Sequence, residues 1–548
     1  MGTENRLTSI PLEVWELITG PLAIRDLPSL LLSSKHLNEV LTPTLYSHIQ
    51  LNDALSARMC ITTLAAEPDT LFLHRNLVAM VHTFCLNSFD MSSARKRDDQ
   101  AVDSLRRLER VLCRMSALRR LVAHHFRPFT PSLLTALFRG AASTIQAIHI
   151  ELQNRKDWLS VQGSEGEVPE HFRPTCPDLT VVDVWVKPGS QLCGESSSHF
   201  LRGLLASHAA QIRTLAFVAD GMEDWVSFIL SKTTRWPVLE RLEVDRWTLW
   251  EDALQSTPEV RVLAVRGGFP LQGLSSADNR DGDEISVDSS HDGTLSKSLP
   301  RTAFPKLEEL HCAHDVLPAF LSSEDQLHRP IRKLELDDAY FWSAGRCLDY
   351  TIIPTWREVR KALTYLPNSG GPVKELAFIV CGLDFERFAS TAGPYLRTLE
   401  KLLLVMYARP IHVRTSSCAE MLEHFGERLF AQMPCLHTFQ ISEGPYNPGE
   451  EPPSLEYCGD SSQQLRWLKN WEVHAPALAT VALCKGQIWE KTQRGWEISV
   501  ADTAKLLDRS AQRTTLKSSI VCPLAARLQR AGRMPLLTVD GLRQKSYQ

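Results

Sequence analysis

The residue types able to do chemistry are few in this sequence, and they are poorly spaced for it. His311-Cys312-Ala313-His314 brings together three side chains of the kind that ligate transition metals. The run has a strand-like alternation, in which successive side chains take opposite faces. Cys312 then turns inward while His311 turns outward, and the two do not share an ion. His124-His125 fails for the same reason. Asp281-Gly282-Asp283 has the look of part of a calcium loop, but Ala277 stands where the first acidic ligand is needed. The phosphate-binding GxxxxGK, the dinucleotide GxGxxG, the zinc-protease HExxH and the hydrolase GxSxG are all missing from the sequence. The expectation is a chain that is not an enzyme, with no metal and no cofactor.

Composition narrows the classes further. The 548 residues carry a formal charge of −4, so no basic excess argues for nucleic-acid binding. Thirteen cysteines are scattered without a CxxC pair. Cys113, Cys312 and Cys484 sit among apolar residues, which favours reduced thiols acting as small hydrophobes. No run reaches the roughly 18 apolar residues a membrane helix requires, and the opening MGTENRLTSIPLE is not a signal peptide. A cytoplasmic or nuclear protein, away from the membrane, is expected.

The elements that position any site come from repetition. An apolar-x-x-apolar-x-apolar pattern recurs at Val81/Phe84/Leu86, Leu118/Leu121/Ala123, Ile145/Ile148/Ile150, Leu179/Val182/Val184 and Ile212/Leu215/Phe217. It continues at Leu239/Leu242/Val244, Val260/Leu263/Val265, Leu307/Leu310/Cys312, Ile331/Leu334/Leu336, Val373/Leu376/Phe378, Leu399/Leu402/Leu404, Leu436/Phe439/Ile441 and Leu478/Val481/Leu483. The last two apolar positions of each copy alternate, as on a short strand with one face inward. Several copies are preceded by a large or soft apolar residue and then proline, as in Cys176-Pro177, Trp236-Pro237, Phe304-Pro305 and Met433-Pro434. There a proline breaks the preceding helix and turns the chain into the strand. Between strands lie helix-like faces, such as Val102/Leu105/Leu108/Leu112 and Trp356/Val359/Leu363/Leu366. The pattern resembles the strand signature of irregular leucine-rich repeats. The resemblance implies an α/β solenoid with parallel strands on a concave face and helices outside. Copy spacing runs from 21 residues (Leu242 to Leu263) to 47 (Leu263 to Leu310), so loops are inserted. Residues 268–300, rich in Ser, Asp and Gly, form an acidic insertion expected to be disordered, either a spacer or a phosphorylatable loop at Ser286, Ser289 or Ser290.

The first 51 residues read differently. Ile10-Pro11-Leu12-Glu13-Val14 opens a helix, Leu17 and Ile18 continue its apolar face, and Gly20-Pro21 stops it. Leu27, Leu30 and Leu31 belong to a second helix, and a third runs from Lys35 to Val40, ending before Thr42-Pro43. So short a trio leaves apolar surface over for a partner, either the rest of this chain or another protein. The run resembles the F-box, particularly its fungal form, with Ile10 where the family has Leu in Leu-Pro-x-Glu. That resemblance implies docking on the Skp-type adaptor of an SCF cullin–RING ubiquitin ligase, through Ile10, Pro11, Leu12, Val14, Leu17, Ile18, Leu27, Leu30 and Leu31, with Glu13 fixing register. The domain reading is an F-box-like three-helix module at 1–51, an irregular leucine-rich-repeat solenoid at 52–500, and a C-terminal cap or tail at 501–548.

The strand positions that flank the inward apolar residues would line the concave face and hold a protein target. Foremost are His149, Asp183, Trp185, Arg241, Glu243, Asp245, His311, Glu335 and Asp337, with Glu309 and Lys333 beside them. The functional expectation is a substrate receptor that tethers an unknown protein target near the ubiquitin-charged enzyme, raising effective concentration without doing chemistry. The alternative is a repeat-protein binding scaffold independent of any ligase.

Overall fold

The computed structural model describes residues 29, 33, 35–51, 54–65, 76–86, 98–126, 131–152, 175–186, 203–219, 235–244, 257–265, 303–314, 316–321, 329–336, 356–381, 395–407, 422–443, 460–483 and 487–499. Every adaptor-contact residue named above, from Ile10 to Leu31, lies outside them. So do the 268–300 insertion, the 501–548 tail, Asp245, Asp337 and Cys484.

The chain divides into two compact units, the first running to Ile212. In it, helix α1 (Lys35–Ser47) leads into β1 (His48–Leu51), followed by α2 (Ala54–Ala65) and β2 (Thr83–Leu86). Then come α3 (Asp98–Arg114), β3 (Arg120–Phe126), α4 (Pro131–Ala141), β4 (Ala147–Leu152) and β5 (Val181–Val186). The five strands are parallel neighbours in chain order. α1 departs from the sequence expectation, because it continues through Pro43 to Ser47. Proline removes the N–H that would bond the Glu39 carbonyl, and the helix nevertheless continues; beside it the Thr42 hydroxyl donates to the Asn38 carbonyl, a separate contact one turn back. Residues 48–51, taken with the helical module in the sequence, form β1. Its Ile49 and Leu51 are buried in the unit's core with Leu37 and Leu41 of α1.

The second unit contains β6 (Thr214–Ala219, apart from its last residue), β7 (Arg241–Val244), β8 (Val262–Val265), β9 (Glu309–Cys312), α5 (Leu317–Leu321) and β10 (Lys333–Leu336). It continues with α6 (Trp356–Leu363), β11 (Glu375–Cys381), β12 (Lys401–Tyr407), α7 (Phe425–Arg428), β13 (Thr438–Glu443), α8 (Ser461–His474) and β14 (Thr480–Leu483). β6 to β14 are parallel and ordered as in the chain. The sheet then ends in an antiparallel hairpin, β15 (Gln487–Thr492) and β16 (Gly495–Ile498), turned at Gly495 with φ of 111°. One strand per repeat, stacked in sequence order, is the α/β solenoid arrangement.

The apolar residues of every triplet are buried. The second residues of successive strands stand opposite one another, as in Leu376, Leu402, Phe439 and Val481. The proline motifs are β-turns: Leu179 N–H bonds Cys176 C=O at 3.1 Å, Leu307 bonds Phe304 at 3.2 Å, and Leu436 bonds Met433 at 3.1 Å. Proline suits the second position of such a turn because its fixed φ is the one required there. The residue before each proline points inward, and Cys176, Trp236, Phe304 and Met433 are almost wholly buried. Phe304 holds a left-handed φ of 50° at this point, its ring packed 6.5 Å from that of Phe320. At the far end of unit two, Phe425, Phe430, Phe439 and Trp471 form a closed aromatic cluster. Trp471 also donates to the Leu422 carbonyl at 2.9 Å. No described helix is long and apolar enough to cross a membrane.

Candidate protein-recognition face

Each four-residue parallel strand sends its second and fourth side chains into the interior, and its first and third to the opposite sheet face. Register pairs align the third positions of unit two as Ala216, Glu243, Ala264, His311, Glu335 and Ala377. In unit one the corresponding third positions are Val122, His149 and Asp183, aligned with one another. The alternation forecast from sequence is therefore correct in direction, and Cys312 and His311 do take opposite faces.

Their exposure differs from the forecast. The row was expected to face solvent, but Asp183, Glu243, His311 and Glu335 are all buried, His311 to 3% exposure. Polar groups removed from water need partners, and these have them. His149 Nδ1 lies 3.1 Å from Asp183 Oδ2, directly across from strand to strand. His311 Nδ1 donates to Glu335 Oε2 at 2.8 Å in the same cross-strand relation. Arg241 stands 3.9 Å from Glu243 on its own strand. Lys333 reaches Glu309 at 3.2 Å and Glu335 at 3.4 Å, while His311 Nε2 is 3.7 Å from Glu309.

Glu309, His311, Lys333 and Glu335 thus make one charge cluster on β9 and β10. The neighbouring His311 ring and the charge of Lys333 bring the Glu309 carboxyl down to about 2, against an opposing effect of burial. Burial pushes Glu335 upward, but His311 and Lys333 outweigh it and hold the carboxyl below its usual range. Lys333 loses water on burial, yet its two glutamates keep its ammonium form favoured. The cluster's chemistry is that of an ion network joining two repeats. Among the described residues no group of three or more His, Cys, Asp or Glu side chains is placed to hold a metal.

A further row of charges, exposed or half-exposed, lies just outside the strands. The residues immediately before β7, β8, β9, β10, β11 and β12 are Glu240, Arg261, Glu308, Arg332, Lys374 and Glu400, stacked in a row that begins at Arg213. Each backbone carbonyl in this row accepts from two consecutive N–H groups of the next repeat, as Arg213 C=O does from Glu240 at 2.8 Å and Arg241 at 3.0 Å. Opposite charges pair along the row: Arg213 with Glu240 at 3.8 Å, Arg261 with Glu308 at 3.7 Å, and Lys374 with Glu400 at 2.6 Å. This accessible row was missed in the sequence because it occupies the first unconstrained position of the repeated pattern, one residue ahead of the strand. The alternation of Arg213, Glu240, Arg261 and Glu308 once the triplets are aligned is the signal that would have found it. Trp185 lies on β5, opposite Glu151.

The described cysteines are free thiols, and two depart from expectation or from ordinary behaviour. Cys113 is exposed instead of packed among apolar residues. Burial raises the Cys176 thiol to about 12, which makes it unreactive.

No family model matches the chain, and no curated protein does. Among solved structures, a crystal structure of the Rad7 and Elc1 complex in yeast aligns over 82% of this chain and 98% of the other, at 14% identity and a TM-score of 0.33. A TLR13–ssRNA13 complex aligns over 68% of this chain and 43% of the other, at 11% identity and a TM-score of 0.28. At these scores the two alignments carry no functional argument.

Proposed function

We propose that this chain is a non-catalytic recognition scaffold, and that it serves as the substrate receptor of an SCF-type ubiquitin ligase. The observation that carries the scaffold reading is the unbroken parallel register from β6 to β14, which sets one charged row in fixed spacing along the strand starts. A stack of this kind gives a partner many contact points at regular intervals, and charge patterning there supplies specificity more than bulk affinity. The ligase reading rests on the resemblance of residues 7–51 to the F-box. In it, Pro11, Leu12 and their neighbours seat the Skp-type adaptor, the adaptor links to cullin, and the repeats present the target's lysines to the conjugating enzyme.

The end of that helical segment supports a second reading. Leu37 and Leu41 of α1 are buried, α1 packs on β1 and on the turn Leu77–Met80, and Ser47 C=O accepts from His82 N–H at 2.9 Å. A helix so used is also what caps the open end of a repeat stack. The two readings separate in a pull-down of full-length protein with a Skp-type adaptor. The receptor reading expects the wild type to retain the adaptor and the double variant Pro11→Ala, Leu12→Ala to lose it. A wild type that retains none leaves only the cap and the ligase-independent scaffold.

A further inference from the structure

On the helical side of unit one, two packed helices carry three exposed arginines that the recognition face does not use. Arg106 and Arg110 stand one turn apart on α3, and both are exposed. Arg139, also exposed, comes from α4. The two helices approach closely there, since a Cβ on Gly140 would lie 2.1 Å from the Leu112 carbonyl oxygen and 2.8 Å from the Cys113 carbonyl carbon. Arg139 is thereby set beside Cys113, whose thiol is raised by burial while the charges of Arg139 and Glu109 act on it in opposite senses.

None of the three guanidinium groups makes a hydrogen bond or ion pair among the described residues. Other arginines of α3 are engaged: Arg107 pairs with Asp103, and Arg114 donates to Leu64 C=O at 3.3 Å. Like charges one turn apart on a helix repel, so this arrangement costs stability unless an anion comes to it. The chain's net charge is −4, so these arginines are a local reversal and not part of a general basic excess. Guanidinium forks fit carboxylates two-pronged, which suits a run of acidic side chains. The exposed large hydrophobics among the described residues are Leu55, Val238, Val473 and Ile498, so among those residues no exposed aromatic offers the stacking platform that single-stranded nucleic acid uses.

We infer that Arg106, Arg110 and Arg139 form a docking surface for an acidic peptide segment of a partner protein. The inference is independent of adaptor binding and stands or falls separately from it. The probe is a fluorescein-labelled decaglutamate peptide, titrated by anisotropy into full-length protein at low salt. Saturable binding is expected, weakened about tenfold in R106E/R110E/R139E and largely kept in R106K/R110K/R139K. Saturating peptide should slow alkylation of Cys113 while leaving Cys435, an exposed thiol of the other unit, unaffected. Should the glutamate variant lose its melting transition, R106Q/R110Q/R139Q replaces it with the same expected loss. Absent saturable binding, equal binding by wild type and the charge-removed variant, or equal alkylation at Cys113 with and without peptide would overturn the inference. So would tighter binding of a single-stranded oligodeoxynucleotide or of phosphatidylserine vesicles than of the peptide.

Discussion

Glu309→Gln tests whether the β9–β10 ion network holds two repeats together. The folded carboxyl titrates near 2 instead of its ordinary 4.5, so the unfolded segment binds a proton more readily than the folded one. The stabilisation is therefore complete above about pH 4.5 and disappears as pH falls toward 2. Taken at face value the shift is worth about 3 kcal/mol. The side chain is 35% exposed, however, and solvent screening cuts this to about 1 kcal/mol. Because two units make a single global unfolding free energy ill-defined, the assay is local: amide hydrogen exchange in peptides covering Lys333–Leu336. At pH 6 the variant should exchange about fivefold faster than wild type, and the ratio should fall toward one near pH 3. Comparing both proteins at each pH removes the intrinsic pH dependence of exchange. A ratio of one at pH 6, or one that stays constant down to pH 3, would refute the reasoning.

Two further substitutions probe packing. Gly140→Ala places a methyl group against the α3 backbone, where no flexible side chain can yield, and should cost about 2 kcal/mol or more, seen as a lowered melting temperature with accelerated exchange in α3 and α4. Trp471→Ala empties a fully buried site and strands the Leu422 carbonyl, so a loss of about 4 kcal/mol confined to the C-terminal repeats is expected by denaturant titration of tryptophan fluorescence.

The strands were legible because each repeat writes the same three buried positions into the chain, and burial of Leu310 or Leu402 is dictated by residue type alone. β1 was not, since Ile49 and Leu51 follow a helical run and have at the anchor position a half-buried Tyr46 in place of the aliphatic residue of the other copies. The terminal hairpin escaped for another reason. Trp489 and Trp496 are buried in it, but their partners, Gln464 at 2.8 Å and Glu472 at 3.1 Å, come from α8. Nothing local in QIWEKT or GWEI announces that contact. At the recognition face the direction of each side chain followed from alternation, whereas its burial did not. Whether His311 meets water depends on Glu335, 24 residues away, and only register brings the two together. The same limit applies to α1, whose continuation through Pro43 no local rule announces.

The doubly accepting carbonyls at the strand starts have an evolutionary corollary. They bind each repeat to its neighbour through backbone alone, and they do so whether 21 residues or 47 intervene. Chain length between rungs is thereby uncoupled from the geometry of the rungs. Lineages can lengthen, shorten or rewrite the intervening segments, and acquire new binding habits, while the ladder beneath stays untouched.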